Sequence, residues 1–130
     1  MNYYTEINQI KENELNNGQL YIYVLENYPQ GNIKIGMSTN IIQRIKSLSG
    51  SNSGGNKIVK IAISPVTYLY TLEKIAHNHF KEYRYKGTEW FDGKYVSFEN
   101  ATKYIDSLFQ SKNYQQINET RKKYLEQKLK

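Results

Sequence analysis

Apolar residues fall along this chain in two rhythms, one with the period of a strand and one with the period of a helix. Residues 19–25, QLYIYVL, are β-branched and aromatic and predict a strand. A turn cluster with Pro29 and Gly31 follows, and a short strand over 32–36 then closes a hairpin. Past Gly36, the residues Ser38, Thr39 and Asn40 are each good helix caps, and Ile41, Ile42, Ile45 and Leu48 have helical spacing. Arg44 falls on another side of that helix. Small residues over 49–56 predict a flexible loop, and 57–63, KIVKIAI, a third strand ended by Ser64 and Pro65. The longest helix candidate covers 66–84, with Leu69, Leu72, Ile75, Ala76 and Phe80 as its apolar stripe. Glu73 and His77 lie one turn apart, off the centre of that stripe. Residues 85–94 read as a loop, 95–98 as a short strand and 99–110 as an amphipathic helix with Ala101, Tyr104, Ile105, Leu108 and Phe109.

The resulting order, β-β-α-β-α-(β)-α, predicts an α+β fold. Its sheet is expected to be small, mixed, mainly antiparallel and three-stranded, flanked by helices. The expected division is a polar extension over 1–18 with a short helix carrying Ile7, Ile10 and Leu15, a folded domain over 19–110, and a charged C-terminal helix over 111–130.

Composition narrows the chemistry. With no cysteine, disulfides and thiolate metal sites are excluded. The first residues, MNYYTEINQIKENEL, lack the apolar region of a signal peptide, and no apolar run reaches the length of a membrane span. The expectation is a cytoplasmic protein with no membrane partner. A net charge of +6 favours polyanions as partners. Thirteen tyrosines offer stacking surfaces for bases, although packing is the commoner use of the residue. Arg121, Lys122, Lys123, Lys128 and Lys130 form a basic stretch that is either a solvated face or an added grip on phosphates.

Tyr21-Ile22-Tyr23, then Lys34-Ile35-Gly36 ten residues on, then Arg44 eight residues past the glycine, resembles the GIY-YIG nuclease core. The stretch EKIAHNHFKEYRYKGTEWF, from Glu73 to Phe91, is similar to the T5orf172-type branch found in phages and large DNA viruses. The resemblance covers roughly residues 19–110. Tyr21 stands where the family has its first glycine, and Lys34 where it has its second tyrosine. Leu48 replaces a histidine that some members carry, and Asn100 is a loose candidate for the asparagine that often follows the glutamate helix.

The resemblance implies a metal-dependent endonuclease acting on nucleic acid, DNA rather than RNA, with one Mg²⁺ or Mn²⁺, and an origin in a phage or mobile element. The competing implication is a nucleic-acid-binding module of the same fold with weak or no catalysis. Tyr23 would position or deprotonate the attacking water, its pKa lowered by Lys34 or Arg44. Arg44 would bind a phosphate, and Glu73 would hold the metal ion. Lys34 and His77 complete the catalytic set, and Tyr21, Ser38, Arg84 and Trp90 are the candidate nucleic-acid contacts. Bland roles compete at each position. Tyr23 could be an ordinary half-buried strand tyrosine, Arg44 a solvated helix residue, Lys34 a solvent-facing strand lysine, Glu73 and His77 a surface pair, Trp90 packing, and Arg84 a partner of Glu89.

Overall fold

The computed structural model describes residues 1–16, 18–48, 57–66 and 71–128, the last span without the side chains of 112–114, 117–118 and 121. The elements run β1 (Asn2–Tyr4), β2 (Tyr21–Tyr28), β3 (Ile33–Ser38), α1 (Ile41–Leu48), β4 (Lys57–Pro65), α2 (Leu72–His79), β5 (Trp90–Phe91), α3 (Phe98–Gln110) and α4 (Lys112–Lys128). The α+β class holds. The sheet, however, has five strands among the described residues, in the order β1-β4-β2-β3-β5, and every pairing is antiparallel. The two additional strands are the short edges, too short for an alternating pattern to reveal.

Central position explains the composition of β2. It pairs with β3 on one side and β4 on the other, and Tyr21 through Leu25 are all buried. Alternation then divides its side chains between two cores. Ile22 and Val24 join Ile33, Ile35, Ala62 and Phe91 against Leu72 and Ala76 of α2 and Ala101 and Ile105 of α3. Tyr21, Tyr23 and Leu25 face the other way, with Ile61 and Ile63, against Ile41 and Ile45 of α1. Ile10 of the lead-in closes that second core.

Three local expectations change. The lead-in forms β1 and two single 3₁₀ turns, Ile7–Gln9 and Glu12–Glu14, in place of a helix. The long helix expected over 66–84 is α2, Leu72–His79, followed by a 3₁₀ turn over Lys81–Tyr83; Leu69 and the loop 49–56 lie outside the described residues. The chain becomes extended after that turn because residue 84 bridges Phe91. Residues 95–98 are not a strand: Ser97 caps α3, its Oγ accepting from the Asn100 amide at 3.0 Å. At the C-terminal end α4 packs against α3 with Lys122 and Lys123 exposed, while Lys130 and the Arg121 side chain lie outside the described residues. Among the described residues no helix is long and apolar enough to cross a membrane.

A strap over residues 84–93 carries β5 and is tied to the β2–β3 turn. The Gly93 amide donates to Asn32 Oδ1 at 3.2 Å, and a Cβ at Gly93 would lie 1.8 Å from the Gly31 carbonyl oxygen. That neighbour is backbone and cannot rotate away. Gly93→Ala is expected to destabilise the fold by about 3 kcal/mol, at the upper end of overpacking costs. Urea denaturation measures it, and an unchanged midpoint would contradict the close approach.

Candidate active site

Gly36 of β3 stands directly across from Tyr23 of β2. A Cβ there would lie 2.3 Å from the tyrosine hydroxyl, so only glycine lets the phenol lie across β3. Ile41 and Ile45 anchor α1 in the core beneath, and Arg44 turns back over the strand pair, its Nε donating to the Tyr23 hydroxyl at 3.4 Å. Tyr23 itself is fully buried. Burial pushes its pKa above the ordinary value and outweighs the lowering by the Arg44 hydrogen bond and charge. Near neutrality the side chain is therefore a protonated phenol, contrary to the lowered pKa expected from the sequence.

Lys34 follows the same alternation. Ile33 and Ile35 pack into the core under α2 and α3, and the lysine points to the opposite face, as the sequence pattern requires. It is not the solvent-facing lysine of the bland alternative, being only 5% exposed. Its Nζ lies 3.0 Å from Glu89 Oε2 and 5.3 Å from the centre of the Trp90 ring. The same carboxylate oxygen lies 4.0 Å from Arg44 Nη2. It is buried, and these ion pairs are its partners; no described group donates it a well-aligned hydrogen bond. Lys34 thus answers a carboxylate rather than the Tyr23 phenol.

On α2, Glu73 faces Glu89. Burial pushes the Glu73 carboxyl up to about 7, with the charge of Glu89 and a hydrogen bond between the two carboxyls adding to the effect. Burial also acts upward on Glu89, but Lys34, Glu73 and Arg44 together hold it below the ordinary carboxylate range. His77, one turn along, is buried, with Nε2 2.7 Å from the Ile35 carbonyl oxygen and 3.7 Å from Glu73 Oε1. Burial lowers its pKa, so the neutral ring donates its Nε2 proton to that carbonyl. Glu73 and His77 are therefore a packed pair, and the histidine braces α2 on β3 rather than presenting a free base at Nε2.

The candidate contacts divide. Tyr21 is buried, and its hydroxyl accepts from the Asn16 amide at 3.1 Å. Ser38 Oγ accepts from the Asn40 amide at 2.9 Å and shapes the entry to α1. Arg84 is exposed and bonds the Thr88 carbonyl, which resolves its alternatives against Glu89. Trp90 is half-buried beside Lys34. Asn100 lines a groove with Tyr3 and Phe98, next to β1 at the far edge of the sheet from β5. The residue missed as a site member is Glu89. Its only signal in the sequence is its place in the TEWF segment.

Tyr23, Lys34, Arg44, Glu73 and Glu89 thus come from β2, β3, α1, α2 and the strap and meet at one place. Among the described residues no group of three or more His, Asp and Glu side chains forms a ready metal-ligand set. Two carboxylates that share a proton nevertheless fit a hard divalent cation that keeps most of its water. Glu73 and Glu89 are the side chains able to hold one.

In the absence of a cation, the raised Glu73 pKa has a signed cost. The folded protein retains a proton that the unfolded chain releases, so stability falls as pH rises from 4.5 to about 7. Glu73→Gln removes that dependence. Discounted for partial exposure, the variant is expected to be about 1–2 kcal/mol more stable than the parent above the upper value and equal to it below the lower. Urea titrations across pH measure the difference; parallel curves for the two proteins would contradict the shared proton.

A family model, the T5orf172 domain, matches residues 18–109. No curated protein and no solved structure matches the chain.

Proposed function

For a chain that belongs to the T5orf172 domain family, which is related to the GIY-YIG-like nuclease fold, we propose an endonuclease that hydrolyses phosphodiester bonds of DNA with one Mg²⁺ or Mn²⁺. The observation that carries this reading is the meeting of the Arg44 guanidinium and the Tyr23 phenol with the Glu73–Glu89 carboxylates at one place. Phosphodiester hydrolysis needs a held phosphate, an aligned water and relief of charge at the leaving oxygen.

Each requirement has a residue suited to it. Arg44 is half-exposed and permanently charged, and its planar fork suits two non-bridging phosphate oxygens. Moving onto a phosphate, it uncovers the Tyr23 hydroxyl beneath. The phenol, protonated near neutral pH, aligns the attacking water by hydrogen bonding and is not the base that deprotonates it. Lys34 places a second positive charge next to Arg44 through their common partner Glu89. Glu73 holds the divalent cation, with Glu89 beside it. Such a cation, when bound, supplies charge neutralisation at the leaving oxygen and an acidified water. His77 fixes the helix that carries Glu73. The complete burial of Tyr23 favours a second reading, a binding module of the same fold without catalysis.

A supercoiled plasmid assay separates the two. The parent is expected to nick DNA with Mg²⁺ or Mn²⁺ and not in EDTA. Glu73→Ala is expected to lose about a hundredfold or more in rate, the loss of a metal contribution of several kcal/mol, with an unchanged circular dichroism spectrum. No nicking of the plasmid and no cleavage of a single-stranded oligonucleotide by the parent in either metal would leave the binding-module reading. Nucleic-acid binding in EDTA is expected to weaken with salt with a log–log slope of magnitude about 2–4, roughly one unit for each phosphate neutralised. A flat response in an equilibrium titration would remove the phosphate contacts assigned to this face.

A further inference from the structure

Beyond the cluster that surrounds Lys34 lies an open cleft of about 300 Å³, lined by Asn27, Gln30, Asn32, Tyr85, Thr88 and Trp90. Its walls combine two aromatic rings with three side-chain amides and a hydroxyl. The amides differ in how far they are engaged. Asn27 Oδ1 accepts from the Asn32 backbone amide at 2.7 Å. Asn32 Oδ1 accepts from the Gly93 amide at 3.2 Å and from the Tyr85 hydroxyl at 3.3 Å. The oxygens of both asparagines are thus fixed by neighbouring donors. Their amide NH₂ groups and the whole Gln30 amide have no partner among the described residues. Donors next to aromatic faces are what a flat heterocycle with carbonyl oxygens on its edge requires.

The position of the cleft is as informative as its lining. Trp90 is its wall toward the catalytic cluster, because Lys34 Nζ lies over the same indole ring. The strap and the residues flanking it carry further exposed aromatic rings. Tyr85 and Tyr95 are 43% and 61% exposed, and the Tyr83 and Tyr95 rings stack at 5.1 Å and 18°. Lys81, Arg84, Lys86 and Lys94 are exposed among them. Aromatic faces interleaved with cations follow a strand whose bases are unstacked, whereas a duplex offers only base edges and phosphates.

Resting on the endonuclease reading, we infer that this cleft is a nucleobase subsite. It takes one unpaired base of the strand whose backbone phosphate lies at Arg44 and Lys34, and the substrate is therefore a single-stranded or locally unpaired nucleic acid. The base stacks on Trp90, with Tyr85 as the outer ring. Its carbonyl edge accepts from the free amides of Asn27, Asn32 and Gln30.

Trp90 is the only tryptophan in the chain, so its fluorescence reports on the cleft directly. The probes are a thymidine strand of about ten nucleotides, within the span one single-strand-binding domain covers, and a duplex of equal length, each titrated in EDTA. The single strand is expected to quench Trp90 saturably and to bind about tenfold more tightly than the duplex, the scale of one stacked base. Tyr85→Leu and Gln30→Ala, both at exposed positions, keep the reporter. Each is expected to weaken single-strand binding severalfold while leaving duplex binding unchanged. Trp90→Phe, followed by anisotropy of a labelled strand, is expected to retain most of the affinity, and Trp90→Leu to lose about tenfold. Equal quenching by duplex and single strand overturns the proposal, as does unchanged single-strand affinity in both Tyr85→Leu and Gln30→Ala. Because binding is read without metal, plasmid nicking without selective quenching removes the subsite alone, and selective quenching with no metal-dependent cleavage of either the plasmid or the thymidine strand removes catalysis alone.

Discussion

A lysine withdrawn from water needs a counter-charge, and at Lys34 that need organises the whole site. Leaving one member of a buried ion pair unpartnered costs about 3–5 kcal/mol. The partner is Glu89, on a strap more than fifty residues further along the chain. To bring that carboxylate in, β5 must pair with β3, and Phe91 must enter the core beneath. Once there, Glu89 draws Arg44 from α1 and adds its charge to the burial that raises the Glu73 pKa on α2. One ion pair therefore couples both sheet faces, two helices and an edge strand. Two carboxylates and two cations crowd this space, and the strain falls on the carboxylates: Glu89 Oε2 is buried without a well-aligned hydrogen bond, and the Glu73 carboxyl is held partly protonated. A metal ion bound by the carboxylates would relieve that strain.

The sheet makes this crowding tolerable. Its apolar residues fill one face almost without interruption, from Ile22 and Val24 through Ile33 and Ile35 to α2 and α3. The opposite face carries the polar side chains among Leu25, Ile41, Ile45, Ile61 and Ile63. Tyr23, Lys34 and Gly36 share that second face because they occupy facing positions of an antiparallel pair. The glycine removes a side chain where the phenol must lie. Tyr23, Lys34 and Arg44 thus belong to the second face, and α2, packed on the first, brings Glu73 to them.

His77 illustrates how a residue type can suggest one role and its surroundings another. Imidazole beside a carboxylate suits acid–base chemistry, yet here the ring is buried and bonded to the Ile35 carbonyl. Its contribution is to hold α2 at a fixed height above β3. Tyr23 is similar: the cation expected to acidify it is present, but desolvation is the larger effect. Both cases turn on burial, which depends on every element packed around the group.

Features with a short sequence range were set by the sequence itself. Alternation placed Ile33 and Ile35 on one face and Lys34 on the other, helical spacing kept Arg44 off the apolar stripe of α1, the order of elements predicted the α+β class, and the order Tyr23, Lys34, Gly36, Arg44, Glu73 marked the family. These depend on periods of two and of 3.6 residues, which neighbouring positions reveal without knowledge of distant ones. The edge strands β1 and β5 were illegible because two or three residues carry no period, and their pairing is decided by what lies across from them. Glu89 is illegible as a site residue for the same reason, since nothing near it in sequence indicates that its carboxylate will meet Lys34. Only the tertiary structure decided that Tyr23 is held as a phenol, that Glu73 shares a proton, and that Trp90 separates the charged cluster from an amide-lined cleft. Desolvation and through-space charge act between residues brought together by packing, and the linear order of the chain does not encode those distances directly.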